Sequence, residues 1–127
     1  MIGTQFLRGL EVMIEMIETV LYIDDERIPS DKELLRKDVV FVIARTEWQA
    51  IAFIERYGIP NEIRFDHDLG DGGESINVVN WMIDSVLNNE LSFPIKFEYS
   101  VHSQNPVGAE NIKGKMNGIL RHLEESK

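Results

Sequence analysis

Apolar runs that end in polar, chemistry-bearing residues alternate along this chain with stretches of helical periodicity. That alternation restricts the fold more than any other feature. Val20-Leu21-Tyr22-Ile23 runs into Asp24-Asp25-Glu26-Arg27, and Ile63-Arg64-Phe65 runs into Asp66-His67-Asp68-Leu69-Gly70. Phe93 to Val101 alternates apolar with polar residues and closes on His102-Ser103-Gln104-Asn105-Pro106. Val39-Val40-Phe41-Val42-Ile43, mostly β-branched, adds a further strand between the first two.

The segments between these runs read as helices. Ser30-Asp31-Lys32-Glu33 is a capping-box pattern opening a short helix through Leu34 and Leu35. Thr46-Glu47-Trp48-Gln49 opens another, expected to stop near Gly58 with Pro60 just beyond. After the turn Gly70-Asp71-Gly72-Gly73, residues Val79, Met82, Ile83 and Val86 mark the inner face of a third, with Trp81 in the core. Ile112, Met116, Ile119 and Leu123 stripe a C-terminal helix over 107–126, and Ile2, Phe6, Leu10, Met13 and Ile17 stripe an N-terminal helical extension over 1–18. The N-terminal stripe needs a partner, either the domain's own core or a second copy in a homodimer. Short connections between alternating strands and helices predict one α/β domain over 1–127. Its mainly parallel sheet of about four strands lies between helical layers, with a core over 20–105.

Composition narrows the partners. Thirteen basic against 22 acidic residues give a net charge of -9, which argues against broad binding to duplex nucleic acid through a basic face. With no cysteine there is neither disulfide nor thiolate chemistry, and a cytoplasmic home is expected. Arg8, Glu11, Glu15 and Glu18 interrupt the N-terminal segment too often for a signal peptide or a membrane span.

In parallel sheets ligands bind at the C-terminal ends of strands, where all three motif segments fall. Several carboxylates at one sheet edge repel one another unless a cation sits between them. Magnesium prefers oxygen ligands, with one or two carboxylates, waters and substrate phosphate around it. Asp25 and Asp66 are the expected direct ligands, with Asp24 acting through water or sharing the role and Asp68 offering its backbone carbonyl. Asp24 and Asp25 as mere turn caps are the plainer alternative. Imidazole titrates near working pH, so His67 and His102 form a candidate acid/base pair, whereas His122 reads as a surface or core histidine. Ser103 and Asn105 supply neutral donors to phosphate oxygens, and Pro106 with Gly108 opens a helix whose N-terminus favours an anion. Arg27 and Arg45, just past strand ends, are candidate bidentate phosphate ligands.

These segments resemble a receiver-type domain, which has an acidic pair after its first strand, an Asp after the third and a Ser or Thr after the fourth. Asp24-Asp25, Asp66 and Ser100 or Ser103 are similar to these, over about residues 20 to 105. A closer resemblance is to the cyclic-phosphate processing receiver domains. Their pattern of an acidic pair, Asp-His-Asp-Leu-Gly and His-Ser-x-Asn-Pro-x-Gly is similar to Asp24-Asp25, Asp66 to Gly70 and His102 to Gly108 here. Signalling receivers carry a lysine after a fifth strand, and this chain has no candidate fifth strand after its last helix.

That resemblance implies a receiver-like, flavodoxin-like fold and a metal-assisted phosphoesterase. Its substrate would be a cyclic phosphate on a small nucleotide or a 2',3'-cyclic RNA terminus, opened to a monoester. Two other readings stay open: a signalling receiver that accepts a phosphoryl group on Asp66, and a module that binds cyclic nucleotides without cleaving them.

Overall fold

A computed structural model of the chain describes residues 17–69 and 72–127. Strands β1 (Glu18–Ile23), β2 (Val39–Ala44), β3 (Glu62–Asp66) and β4 (Glu98–His102) form one sheet in the order β2-β1-β3-β4. Every pairing is parallel, so the C-terminal ends of all four strands share one edge. Helices α1 (Asp31–Leu34), α2 (Glu47–Tyr57), α3 (Ser75–Leu87) and α4 (Pro106–Glu125) alternate with the strands. The expected parallel α/β architecture is thus the one the chain adopts. Of the N-terminal helix expected over 1–18, residues 1–16 lie outside the described residues, Ile17 is exposed and outside any helix, and Glu18 already belongs to β1.

Side-chain alternation in β1 divides the interior. Leu21 and Ile23 join Ile63 and Phe65 on the face where α2, α3 and α4 bury Ala50, Ile54, Val78, Met82, Ile112 and Met116. Val20 and Tyr22 join Val39 and Phe41 on the opposite face, where α1 is tethered by Glu33 to Tyr22 and Arg64. A fully buried Leu, Ile or Phe contributes about 1.5–3 kcal/mol. A one-residue slip of β1 would exchange the two sets between faces, so the register that places Asp24 at the strand end is strongly specified.

Local signals set the connections. Ser30 and Glu33 form a reciprocal capping box at α1. At α2, Thr46 caps the Gln49 N–H, but the Gln49 side-chain oxygen accepts from the Arg45 N–H at 2.7 Å, fixing the loop after β2. Gly58 ends α2 at φ +86°, a backbone region that glycine enters without penalty.

The strand expected from Phe93 begins only at Glu98. Pro94 has no N–H for a ladder, Ile95 is fully exposed, and Phe93 packs edge-on against Phe97 with ring centroids 4.8 Å apart. The alternation before Glu98 therefore reflects local aromatic packing. From Glu98 onward it reflects an edge strand whose residues are alternately exposed and half-buried.

Candidate functional site

Because β1 and β3 are neighbours, Asp24, Asp25 and Asp66 leave adjacent strand ends, and β4 adds His102 as the register partner of Asp66. These four residues line an open cleft of about 560 Å³, whose wall continues through Glu26, Arg27 and Ile28 on one side and Asp68, Ser103 and Gln104 on the other. One carboxylate oxygen from each of Asp24, Asp25 and Asp66 lies within 4.8 Å of the others.

The three acids are not equivalent. Asp24 is buried, with 1% of its surface exposed. Its Oδ1 accepts from the Glu26 and Arg27 N–H groups at 3.0 Å each, and its Oδ2 pairs with Nε of Arg27. Burial pushes its carboxyl up, but the bonds from the Arg27 side chain and from the Arg27 and Glu26 backbone outweigh that and hold it below the usual carboxylate value. Asp66 goes the other way. Burial, then the Asp24 charge, then the hydrogen bond and charge of Asp25, push its carboxyl up to about 6. A divalent cation among these oxygens would turn the repulsion into attraction. Hard oxygen donors in an open cleft fit a hard divalent cation that keeps part of its water shell.

Arg27 and Arg45 divide their work. Arg27 stands in the cleft wall, paired with Asp24 and with its guanidinium 5.6 Å from the Tyr22 ring centroid. Arg45 lies behind the loop, where Nη1 donates to the carbonyls of Asp24 at 3.1 Å and Arg27 at 2.9 Å. It therefore shapes the acidic loop and does not line the cleft.

The two histidines occupy different places. His102 lines the cleft. His67 is 8% exposed, with Nδ1 3.0 Å from Oδ1 of Asp68, and its ring fills the space beside the first turn of α4. A Cβ on Gly108 would come within 2.1 Å of that ring, so the close approach requires glycine. Of the two candidate acid/base histidines, His102 lines the cleft and His67 is not among its lining residues. Asp68 lines the cleft, but its carboxylate groups with His67 and Glu74, apart from the Asp24-Asp25-Asp66 set.

In the third segment, Ser103 lines the cleft and its Oγ accepts from the Asn105 N–H at 3.0 Å. The Asn105 side-chain oxygen caps α4 by accepting from the Gly108 N–H at 3.1 Å, with Pro106 at the first helical position. Asn105 thus orients the helix and does not line the cleft.

Sequence reasoning missed Ser75, which is fully buried. Its Oγ donates to the Asp66 carbonyl and its N–H to the His67 carbonyl at 3.0 Å, pinning the backbone of the Asp-His-Asp segment to the start of α3. Glu26, Ile28 and Gln104 in the cleft wall were missed as well. No spacing marks them, although the loop after an acidic pair is where wall residues of such a site arise.

Strand order, parallel pairing and an acidic cluster at the C-terminal edge define a receiver-like α/β domain. The family model of the cyclic-phosphate processing receiver domain matches residues 19–118, and the chain belongs to that family. No curated protein matches it in sequence. Among solved structures, it is similar to a fusion carrying the yeast Spc42 trimeric coiled coil, at 17% identity and TM-score 0.51, over 76% of this chain and 60% of that one. It is also similar to the response regulator PhyR from Brucella abortus at 21% identity and TM-score 0.42, covering 97% and 56% of the two chains. The anti-anti-sigma factor PhyR from Bartonella quintana gives 20% identity and TM-score 0.42 over 97% and 57%. The chain therefore spans 60% or less of each of these structures.

Proposed function

We propose that this domain is a metal-assisted phosphoesterase that opens a cyclic phosphate, such as a 2',3'-cyclic nucleotide or RNA end, to a monoester. The observation that carries this reading is the convergence of Asp24, Asp25 and Asp66 within 4.8 Å of one another in the cleft that His102 also lines. Magnesium bound there would supply charge neutralisation at the phosphoryl oxygens. Asp25 and Asp66 would hold it directly. Asp24, already committed to Arg27 and two backbone N–H groups, shares its charge with the site and holds the loop.

Opening the ring requires water to bond to phosphorus, one ribose P–O bond to break and a proton to reach the leaving oxygen. His102 serves this proton movement, because an imidazole can both accept and release a proton and this one lines the cleft beside Asp66. Ser103 offers a hydroxyl to a phosphate oxygen, and Arg27 a guanidinium N–H from the wall. His67, packed against Gly108, positions Asp68 and the first turn of α4.

His102→Ala is expected to lower turnover of a nucleoside 2',3'-cyclic phosphate by roughly 10²–10⁴-fold, leaving the melting temperature and magnesium binding unchanged. Full turnover in that variant would remove His102 from the mechanism. Phosphorylation of Asp66 is a second reading, favoured by its position at the end of β3 facing an acidic pair. No lysine lines the cleft among the described residues. A small phosphodonor with magnesium would then leave an acid-stable, base-labile phosphate on Asp66.

A further inference from the structure

Several basic residues of the described chain lie at the sheet edge away from the cleft. Arg36 and Lys37 precede β2, Arg56 precedes β3 and Lys96 precedes β4, which places them toward the edge opposite the cleft. On the segments that follow the strand ends, residues 24–30, 45–46, 67–74 and 103–105, the arginines are Arg27 and Arg45 and there is no lysine. Arg27 is paired with Asp24, and Nη1 of Arg45 is spent on two backbone carbonyls. Against them the cleft wall sets Asp24, Asp25, Glu26, Asp66 and Asp68. A single divalent ion does not balance five carboxylates and one guanidinium, and the chain as a whole carries -9.

A cyclic phosphate at the metal gains from that ion, but each further phosphate of a polynucleotide would lie along an acidic wall in which, among the described residues, Arg27 is the one arginine or lysine. The cleft's volume of about 560 Å³ is within the usual range for a pocket that encloses one small ligand, roughly 300–1,000 Å³. Ile28, an exposed apolar side chain, and Gln104, able to donate and accept, stand in the wall as surfaces for a base and its polar edge.

We infer that the substrate is a cyclic-phosphate mononucleotide and that this acidic wall rejects the terminus of a longer RNA. This rests on the phosphoesterase reading and adds to it a choice of substrate class. The test compares a nucleoside 2',3'-cyclic monophosphate with a five-nucleotide RNA ending in the same group, at fixed magnesium, from low to high potassium chloride. The expected kcat/KM is roughly tenfold or more higher for the mononucleotide at low salt. The gap narrows as the screening length falls from about 10 Å at 0.1 M to about 3 Å at 1 M. Glu26→Lys is expected to raise the oligonucleotide's kcat/KM relative to the mononucleotide's, because the Glu26 contact to Asp24 is made by its backbone N–H and survives the change.

An oligonucleotide cleaved as well as the mononucleotide, or one whose cleavage weakens with salt, would overturn the inference. His102→Ala, in which turnover is slowed, separates this choice from the chemistry by giving dissociation constants for both ligands before they are consumed. If neither ligand is cleaved by the wild type but the mononucleotide still binds the variant at least tenfold tighter, the phosphoesterase reading fails and the ligand preference stands. If the oligonucleotide binds equally well, or neither ligand binds, the preference fails too.

Discussion

Asp66 concentrates the electrostatics of the site in one carboxyl group. It ionises near 6 in the folded chain against its usual 3.8, so between those values the folded state holds a proton that the unfolded state has lost. Its stabilising contribution is therefore fully present below 3.8 and is lost as pH rises through 6. Asp24 is held below the usual carboxylate value and Glu33 at about 2, so their contributions are lost only in more acidic solution. Asp66→Asn removes the repulsion. At pH 7.5 in EDTA this variant is expected to be more stable than the wild type by about 1–2 kcal/mol after allowance for solvent screening. Saturating magnesium should erase that advantage by binding only the wild type. Thermal melts of both proteins with and without magnesium check this, and a less stable variant in EDTA would show that the acids do not repel. The placement of Asp24, Asp25, Asp66 and His102 at strand ends was legible from sequence, because each follows an apolar or alternating run. The partners of Arg27, Arg45 and Asn105 were not legible. Whether a guanidinium or an amide meets substrate or a nearby backbone group depends on loop geometry that no periodicity encodes.

At the scale of elements, α4 joins two of the motif segments. Its first turn packs on the His67 ring with no room for a Cβ at Gly108, and Asn105 caps it at the end of the loop that follows β4. The Asp-His-Asp segment and the His102 loop are thereby held in one relation. Gly108→Ala must push the ring or the helix aside, with an expected loss of about 1–3 kcal/mol in stability and a fall in turnover through misplacement of His102. Denaturant unfolding together with kcat checks both, and wild-type stability in the variant would mean that His67 is free to move. The helix caps at Ser30 and Thr46 and the stop at Gly58 were readable because each is a local rule. The onset of β4 was not, because alternation over Phe93 to Phe97 satisfies the strand pattern while Pro94 and an aromatic pair keep those residues off the ladder. The packing of His67 against Gly108 lay beyond sequence reading for a similar reason, although the residue itself was singled out. A histidine between two aspartates looks solvated until the helix that covers it is in place.

For the whole molecule, the order β2-β1-β3-β4 puts the acidic pair beside Asp66 and Asp66 beside His102, so one topological choice assembles the cleft. The alternation of apolar runs with helical stripes made that architecture readable. The distribution of helices was less so: α2, α3 and α4 share one face with the larger core, and α1 lies on the other. Sequence periodicity tells which side of a helix is buried but not which side of the sheet receives it. The most direct measurement is phosphorus NMR of a nucleoside 2',3'-cyclic phosphate incubated with the protein and magnesium, beside an identical sample containing EDTA. Conversion of the cyclic resonance to a monoester resonance with magnesium, and none with EDTA, is the predicted result. A cyclic resonance that persists unchanged in both samples would contradict the assignment of this cleft as a metal-dependent phosphoesterase.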